Sequence, residues 1–545
     1  MPISLPRALN LPPTGWTLAG LLAFYVLAGL FGHDPWKSED VIHLSVARDF
    51  LDPDQGSGLF LAGQPFFSGP LFYWSAAGTG RLLGHWLPLH DALRFASGLW
   101  MALTLIALYY AAREYHGKEN AAAAPLLLAG SFGLIVCAHE AQPLLTLLAA
   151  SSCQFLAVGL FPRKPRVAAF LLACALAIAG AGAGLVGLFL FGVSLLPALF
   201  YHRTRFLFPL CAGLAGGLFL LGLTALLLMQ TAPIWFQAWV SHERARFPMR
   251  AYSGELLALL RMQPWFSWPL LPLSCWSLWQ KRRQGQWRHP DVLFPLLAFL
   301  ALLFGLPLVF HIEEHTAMLL LPPLALLATP GTLSLRRGAA NAFDWFSGMA
   351  FSVFVLLLWI GWIAMVFGWP ERLAERAVVL APGFTGTFDP LFFTLALAVT
   401  TWWIWSLAGL PRSAYRCLTR WTTGLVIGWL LAVLLWLPWI DYGKSYRQLA
   451  HDLARQLPEL RAQDCVAEMY LGFAQRASFS YFERLEFTPV DARGRTGCRW
   501  LLIQGGRAEP RLPEQRWQKI WEGSRPGDRR ERFRLYELDG KLVLR

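Results

Sequence analysis

Charged side chains are scarce in this chain. Lys, Arg, Asp and Glu make up 15% of its 545 residues, while 56% are hydrophobic and the mean hydropathy is +0.43. Soluble domains carry about 25% charged residues, so this composition argues against a soluble protein and indicates a polytopic membrane protein. The 26 tryptophans agree with that class. Because Trp favours the two bilayer interfaces, most of them are expected to mark the ends of spans.

Several signals of other protein classes are missing. The 47 basic residues outnumber the 34 acidic ones and give a net charge of +13. They collect in short loops and form no stripe with interleaved aromatics, which argues against nucleic acid as a partner. There is no internal repeat, which disfavours a transporter built from matched halves. There is also no HExxH or CxxC spacing, so the signal for a metal site is weak.

Cysteine is rare as well. Six of the eight cysteines lie in or beside apolar runs, where a thiol normally serves packing. The other two, Cys465 and Cys498, each begin a strand-like segment in a region that the charge pattern assigns to the oxidising side of the membrane. A disulfide between them and two free thiols both remain open.

Apolar runs close to the roughly 20 residues that cross a bilayer predict about thirteen transmembrane helices. Lys and Arg fall in loops on alternate sides of this count, which places the amino terminus in the cytoplasm and the carboxyl-terminal region outside. Residues 1–14 lack a small-residue cleavage site, so the first span is expected to be retained. The predicted spans are 15–32, 92–112, 120–138, 142–161, 167–181, 184–200, 207–229, 265–280, 292–310, 316–331, 345–369, 389–410 and 421–440.

The composition becomes that of a soluble protein from Asp441 onward. A helical pattern at 445–462 precedes strand-like segments at 464–471, 498–504 and 532–545. The sequence therefore predicts two domains. An all-α polytopic membrane domain covers 1–440, and a small α/β domain covers 441–545 on the periplasmic side. The layout suits a bacterial inner membrane.

The first outward loop, 33–91, carries acidic residues close to the membrane. Asp34 follows the first span, and Glu39 and Asp40 open a stretch with the apolar periodicity of a short interfacial helix. A second interfacial helix is expected after Pro70. The two carboxylates could act on a lipid-borne substrate. Helix capping alone also accounts for them, because carboxylates are favourable at any helix amino terminus.

Other outward segments are rich in ionisable groups. His242, Arg244 and Arg246 form a compact group that suits an anionic head group, since the planar Arg fork pairs well with phosphate. A basic patch touching anionic membrane lipids is the alternative. Glu140 and His315 lie in short turns between spans. Such groups mark a cavity or pathway, although ordinary solvated turns remain open for both.

The order of motifs resembles that of the GT-C membrane glycosyltransferases, in the branch of the protein mannosyltransferases and the lipid A aminoarabinose transferase. The matching segments are, in order, ED, ARDFL, SGPLFYW, ALRFASGLW, SHERARF and QPW. The match extends over nearly the whole chain. No single motif is specific, but their order is.

The resemblance implies a GT-C fold and transfer of a sugar from a polyprenyl-phosphate donor to a lipid, glycan or protein acceptor outside the membrane. Glu39 aligns with the catalytic acid of the family's first loop and is the expected general base, with its neighbour Asp40 as the substitute. His242, Arg244 and Arg246 would stabilise the departing phosphate. The remaining residues expected to contact substrate are Ser68, Tyr73, Glu140 and His315.

The chain departs from the family pattern at several charged positions. Losing these cations suggests a changed donor, a changed acceptor, or a scaffold subunit of an envelope-glycan assembly that retains the fold without the reaction. A bound divalent metal remains open, but no ligand is assigned to it, because Phe67 cannot bind such an ion and His242 alone would hold one weakly. The departures are Phe67 and Ser68 for Glu-Lys, Gly69 for Pro, Gln142 for Asp, Ala183 and Gly184 for Lys-Gly, and His315 for Lys.

Overall fold

The computed structural model describes residues 15–36, 39–52, 58–199, 207–245, 252–409, 413–457, 465–491, 496–506, 512, 517–528 and 530–538. Within these ranges, eight helices are long and apolar enough to cross a membrane. They correspond to nine of the predicted spans, because one of the eight covers both 167–181 and 184–200. The other four predicted spans are occupied by shorter helices, and the total of thirteen crossings stays a prediction.

The first half of the chain is helical apart from one two-stranded hairpin. The hairpin pairs β1 (Phe60–Leu61) with β2 (Gln64–Pro65) in the first outward loop. The helices are α1 (Gly15–Leu27), α2 (Glu39–Leu51), α3 (Leu71–Leu83), α4 (Leu89–His116), α5 (Ala123–Ala129), α6 (Leu134–Cys137), α7 (Leu145–Leu160), α8 (Pro165–Leu199), α9 (Leu207–Thr231), α10 (Pro233–Ala245) and α11 (Tyr252–Phe266).

The second half adds four long helices and the start of the carboxyl-terminal domain. The last long helix, α19, continues past the predicted end of its span. The helices are α12 (Leu270–Arg283), α13 (Pro290–Val309), α14 (Glu314–Ala317), α15 (Leu321–Leu333), α16 (Arg337–Phe367), α17 (Glu371–Leu380), α18 (Pro390–Gly409), α19 (Arg416–Lys444), α20 (Arg447–Arg455) and α21 (Phe473–Glu483).

Two predicted spans are interrupted. The run 15–32 is helical only to Leu27, because Gly29 and Gly32 then adopt positive φ angles of 90° and 83° that turn the chain. The run 120–138 splits into α5 and α6. Between these helices the amide of Gly133 donates to the carbonyl of Phe266 at 2.9 Å. An apolar run shows that a segment is buried in lipid or protein, but it does not reveal such breaks.

Helix α8 is a hairpin of two helical halves. Ala183 (φ −146°) and Gly184 (φ +60°) leave the helical conformation. A Cβ added to Gly187 would lie 2.1 Å from the carbonyl oxygen of Ala179. In a straight helix residues eight positions apart lie about 12 Å apart along the axis, so the second half folds back on the first. The predicted pair of spans at 167–181 and 184–200 matches these two halves.

The carboxyl-terminal domain is the predicted small α/β unit. Its five-stranded sheet has the order β4-β3-β5-β7-β6, in which β3 pairs in parallel with β4 and β5. Strand β7 runs antiparallel to both β5 and β6. Cys465 and Cys498 form a disulfide beside the sheet. The strands are β3 (Val466–Met469), β4 (Phe487–Pro489), β5 (Trp500–Gly505), β6 (Trp517–Gly523) and β7 (Arg532–Leu538).

The carboxyl-terminal domain packs directly on the first outward loop. Residues of α2, α3 and α10 share one apolar cluster with Ala474 and Ala477 of α21. The Arg48 guanidinium of α2 donates to the carbonyls of Ser480 and Tyr481 at 2.6 and 2.8 Å. Asp34, before α2, accepts from Ser445 Oγ at 2.6 Å. Helix α2 is therefore held between the membrane helices and the carboxyl-terminal domain.

Candidate active site

Six separate segments enclose a cavity of about 310 Å³. It lies where the start of α2 faces the hairpin turn of α8 and the segment before α14. This arrangement brings residues from most of the length of the membrane domain to one place. The lining residues are Glu39, His43, Phe66, Phe67, Ser68, Gly69, Gln142, Pro143, Leu144, Gly182, Ala183, Val186, Glu243, Phe310, His311, Glu313, His315 and Thr316.

Glu39 stands at the first position of α2 with its carboxylate in this cavity. Its Oε2 lies 3.0 Å from Nε2 of His43, one helical turn later. Nδ1 of His43 lies 2.7 Å from the hydroxyl of Tyr73, and that hydroxyl in turn has a hydrogen bond from Ser68. His43 therefore bridges Glu39 and Tyr73, with Nε2 bonded to the carboxylate and Nδ1 bonded to the Tyr73 hydroxyl.

The environment of Glu39 favours its ionised form. Partial burial raises the pKa of the carboxyl, but the hydrogen bond and charge of His43, together with His315, outweigh it and lower the pKa to about 2. The side chain of Glu39 is 29% exposed. An ionised carboxylate is therefore open to the cavity throughout the neutral pH range.

Asp40 faces the opposite way. Its carboxylate is fully buried and accepts from the Arg94 guanidinium at 2.9 and 3.2 Å and from the Ala141 amide at 2.7 Å. Burial raises the pKa of Asp40, but Arg94 outweighs this effect and holds it below its ordinary value. Arg94 also pairs with Asp91 at 3.0 Å. Asp40 does not line the cavity, and its contacts join α2, α4 and the turn before α7.

A second ionisable group meets Glu39 across the cavity. Nδ1 of His315 lies 3.4 Å from Oε2 of Glu313. One ligand-type atom from each of Glu39, Glu313 and His315 falls within 4.8 Å of the others. These three side chains come from two segments more than 270 residues apart.

Helix α10 contributes to the cavity through its last turn. The ring of His242 stacks on Phe67 with centroids 5.0 Å apart. Glu243 is buried and accepts from the amide of Leu185 at 3.0 Å, so it caps the second half of α8. Arg244 is exposed and does not line the cavity. Arg246 lies outside the described residues.

Two further residues expected to contact substrate lie behind the cavity wall. Tyr73 is completely buried and contacts the lining residues His43, Ser68 and Phe66. Glu140 lies in the turn between α6 and α7, where burial and the nearby Asp40 raise its pKa to about 8. Glu140 is therefore mainly protonated at neutral pH. Neither residue lines the cavity.

Three residues at the cavity were not singled out as site residues from the sequence. His43 could have been found from its i, i+4 spacing to Glu39, which places both on one helix face. Glu313 stands beside Glu314 in the segment FHIEEHTAM (310–318), and nothing in the sequence separates the two residues. The capping role of Glu243 required the hairpin turn of α8, which the sequence pattern did not reveal.

Comparison with known proteins identifies the fold of this chain. No protein-family model matches the chain, and no curated protein matches its sequence. Among solved structures, it is similar to ArnT from Cupriavidus metallidurans bound to undecaprenyl phosphate, with a TM-score of 0.65 and 15% identity over 98% of this chain and 100% of that one. The apo structure of the same ArnT gives a TM-score of 0.64 and 16% identity over 96% and 98%. The chain thus has the GT-C membrane glycosyltransferase fold.

The departures from the family motifs converge on the cavity. Six positions that differ from the family pattern line it, although they are scattered between residues 67 and 315 of the chain. Lys and Arg are absent from the described residues of this lining. The six are Phe67, Ser68, Gly69, Gln142, Ala183 and His315.

Proposed function

We propose that this chain is a membrane glycosyltransferase that moves a sugar from a polyprenyl-phosphate donor to a lipid, glycan or protein acceptor. The observation that carries the proposal is the ionised, His43-oriented carboxylate of Glu39 inside a 310 Å³ cavity. The donor class is supported by the fold, because the similar ArnT was solved with undecaprenyl phosphate bound.

Glu39 acts as the general base of this reaction. It takes the proton of an acceptor hydroxyl while the hydroxyl oxygen bonds to the anomeric carbon of the donor sugar. The bond between that carbon and the phosphate oxygen breaks, and its electron pair leaves with the polyprenyl phosphate. His43 is a positioning residue, because it fixes one carboxylate oxygen of Glu39 and does not itself face the acceptor proton.

Residues on the cavity wall are proposed to hold the donor and acceptor. Ser68 and His315 offer hydrogen bonds from opposite sides of Glu39. His242, stacked on Phe67, lies at the edge where Arg244 and Arg246 would meet an anionic head group at the membrane surface.

The proposed reaction takes place on the periplasmic side of a bacterial inner membrane, with the amino terminus in the cytoplasm. The Cys465–Cys498 disulfide in the carboxyl-terminal domain supports this orientation, because disulfides persist in oxidising compartments. The lysine- and arginine-rich loops give the same orientation.

The test is transfer from a panel of undecaprenyl-phosphate monosaccharides in proteoliposomes, with release of undecaprenyl phosphate followed by mass spectrometry. We expect the wild type to consume a donor and Glu39→Gln to lower the rate about 10²–10⁴-fold, the usual contribution of a general base. The matched control is Glu314→Gln, because Glu314 is next to His315 in the chain but outside the cavity lining. It is expected to keep the wild-type rate.

Unchanged turnover in Glu39→Gln would remove Glu39 from the mechanism. The second candidate function is a non-catalytic scaffold of an envelope-glycan assembly, favoured by the missing Lys and Arg in the described cavity lining. A wild-type protein that consumes no donor in the panel and co-purifies with a stoichiometric partner supports that function instead.

A further inference from the structure

Glu39, Glu313 and His315 form a group with the composition of a metal site. Two carboxylates and one imidazole converge within 4.8 Å from the amino-terminal ends of α2 and α14. Protein zinc sites use these same side chains, with metal–ligand distances of about 2.0–2.2 Å. Three protein ligands with an open fourth position is the arrangement typical of catalytic rather than structural zinc.

The spacing of the ligand atoms fits a bound ion. Two ligands of a tetrahedral ion, each about 2.1 Å from the metal, lie roughly 3.4 Å apart. Nδ1 of His315 and Oε2 of Glu313 are 3.4 Å apart. A carboxylate oxygen of Glu39 lies within 4.8 Å of the ligand-type atoms of Glu313 and His315, and the cavity of about 310 Å³ has room for an ion and its remaining ligand.

Both carboxylates are oriented by outer contacts, as ligating carboxylates in metalloproteins usually are. His43 holds one oxygen of Glu39 at 3.0 Å. Glu313 caps α14 by accepting from the backbone amide of Thr316, while the Thr316 hydroxyl accepts from the Glu313 amide at 3.1 Å. These bonds fix each side chain without occupying all of its oxygen lone pairs.

The negative charge of the cavity lining also favours the binding of a cation. Its described lining holds three carboxylates, Glu39, Glu243 and Glu313, with histidine as the basic residue type and neither Lys nor Arg. A polyprenyl phosphate entering such a cavity would meet like charge. A divalent ion between Glu39 and Glu313 reverses the sign of the local field, and it takes the place of the family cations that Ser68, Ala183 and His315 have replaced.

We propose that Glu39, Glu313 and His315 bind a divalent transition-metal ion, Zn²⁺ or Mn²⁺, that receives the donor phosphate; this rests on the proposed function. The imidazole favours such ions over Mg²⁺ and Ca²⁺, which prefer oxygen ligands alone. When bound, the ion supplies the positive charge that stabilises the departing phosphate. This assignment goes beyond the sequence analysis, which left a divalent metal open without assigning ligands to it.

The test measures metal binding directly. The full-length protein, freed of any affinity tag and stripped with a chelator, is titrated in nanodiscs with Zn²⁺ and with Mn²⁺, and bound metal is counted by mass spectrometry. Co²⁺ loading gives an absorption spectrum that reports the imidazole ligand. We expect one ion per chain in the wild type, and at least tenfold weaker binding in Glu313→Gln and in His315→Gln, with the Co²⁺ spectrum changed in His315→Gln.

Glu314→Gln is the matched control, since Glu314 is the neighbour of Glu313 in the same turn but outside the three-residue group. It should bind like the wild type. Absence of stoichiometric metal, or equal affinity in wild type, Glu313→Gln and His315→Gln with all three folded by thermal unfolding, overturns the site. A bound ion without transfer from any donor supports the site and contradicts the proposed function. Full transfer by chelator-treated, metal-free protein overturns the site and leaves the function standing.

Discussion

At the residue scale, the adjacent carboxylates of Glu39 and Asp40 lie in opposite environments. Neighbouring positions of a helix project about 100° apart, so Glu39 enters the cavity while Asp40 points to Arg94. The sequence could predict that one acid of this pair is reactive, from its place in the motif order. It could not separate the two by burial, because Arg94 follows Asp40 by 54 positions and the contact exists only after α2 packs on α4.

Asp40→Asn is expected to lower the stability of the fold, and not only the rate of the reaction. The change leaves the fully buried Arg94 with Asp91 as its remaining carboxylate, and breaking a buried ion pair costs about 3–5 kcal/mol. Thermal unfolding in detergent should therefore show a clear loss for Asp40→Asn and little change for Glu39→Gln, whose site is partly exposed. Equal stability of the two variants would contradict the structural role of Asp40.

At the scale of elements, apolar runs predicted where helices lie but not how they are broken. The two halves of α8 were expected as separate spans, and the tight turn between them is what places Ala183 in the cavity wall. The interfacial helix beginning at Glu39 was also predicted, because its apolar positions Val41, Leu44 and Leu51 repeat with helical spacing, and Val41 and Leu44 are buried. The division of 120–138 depends on contacts with Phe266 and Trp268, which no local pattern encodes.

Gly184→Ala should destabilise the turn of α8. Gly184 has φ +60° and ψ −142°, a conformation that other residues adopt at a cost of about 1–3 kcal/mol. An added Cβ would lie 2.4 Å from Oε2 of Glu243, so the hydrogen bond that the Leu185 amide donates to Glu243 would also be disturbed. Lower thermal stability and lower donor turnover are expected.

Gly192→Ala in the second half of the same helix is the matched control for Gly184→Ala. A Cβ at Gly192 meets no atom within 4 Å, and Ala is favoured over Gly inside a helix by about 0.5–1 kcal/mol. The control should therefore be as stable as the wild type or slightly more stable. A harmless Gly184→Ala would show that the turn tolerates a side chain.

At the scale of the whole molecule, the carboxyl-terminal domain helps to hold α2, and therefore Glu39, in position. Arg48 stands on the same helix as Glu39 and carries the bonds to Ser480 and Tyr481 of α21. The α/β character of this domain was predictable from its strand-like segments. Its docking on α2 was not, because the bonds link residues more than 430 positions apart and involve backbone carbonyls.

Arg48→Ala is expected to loosen α2 and slow the reaction. The variant loses three hydrogen bonds to α21, to the carbonyls of Ser480 and Tyr481 and to the Ser480 hydroxyl. A small displacement of a catalytic group lowers rates by about tenfold or more. Hydrogen exchange should become faster in residues 39–51, and donor turnover should fall. Arg455→Ala serves as the control, because Arg455 is exposed on α20 and pairs only loosely with Asp452 at 3.7 Å. Identical hydrogen exchange in Arg48→Ala and Arg455→Ala would mean that the carboxyl-terminal domain does not stabilise α2.

The buried pair of Asp40 and Arg94 gives a practical rule for distant relatives of this chain. Since that pair locks the rotational phase of α2, deleting one residue just after Asp40 would turn Glu39 to the position that faces Arg94, and inserting one there would turn Asp40 to the position that faces the cavity. In a sequence too divergent for reliable alignment, the counterpart of Glu39, the proposed general base, is therefore located by first identifying the arginine near the start of the next long helix, then its buried acid, and then stepping back by one residue.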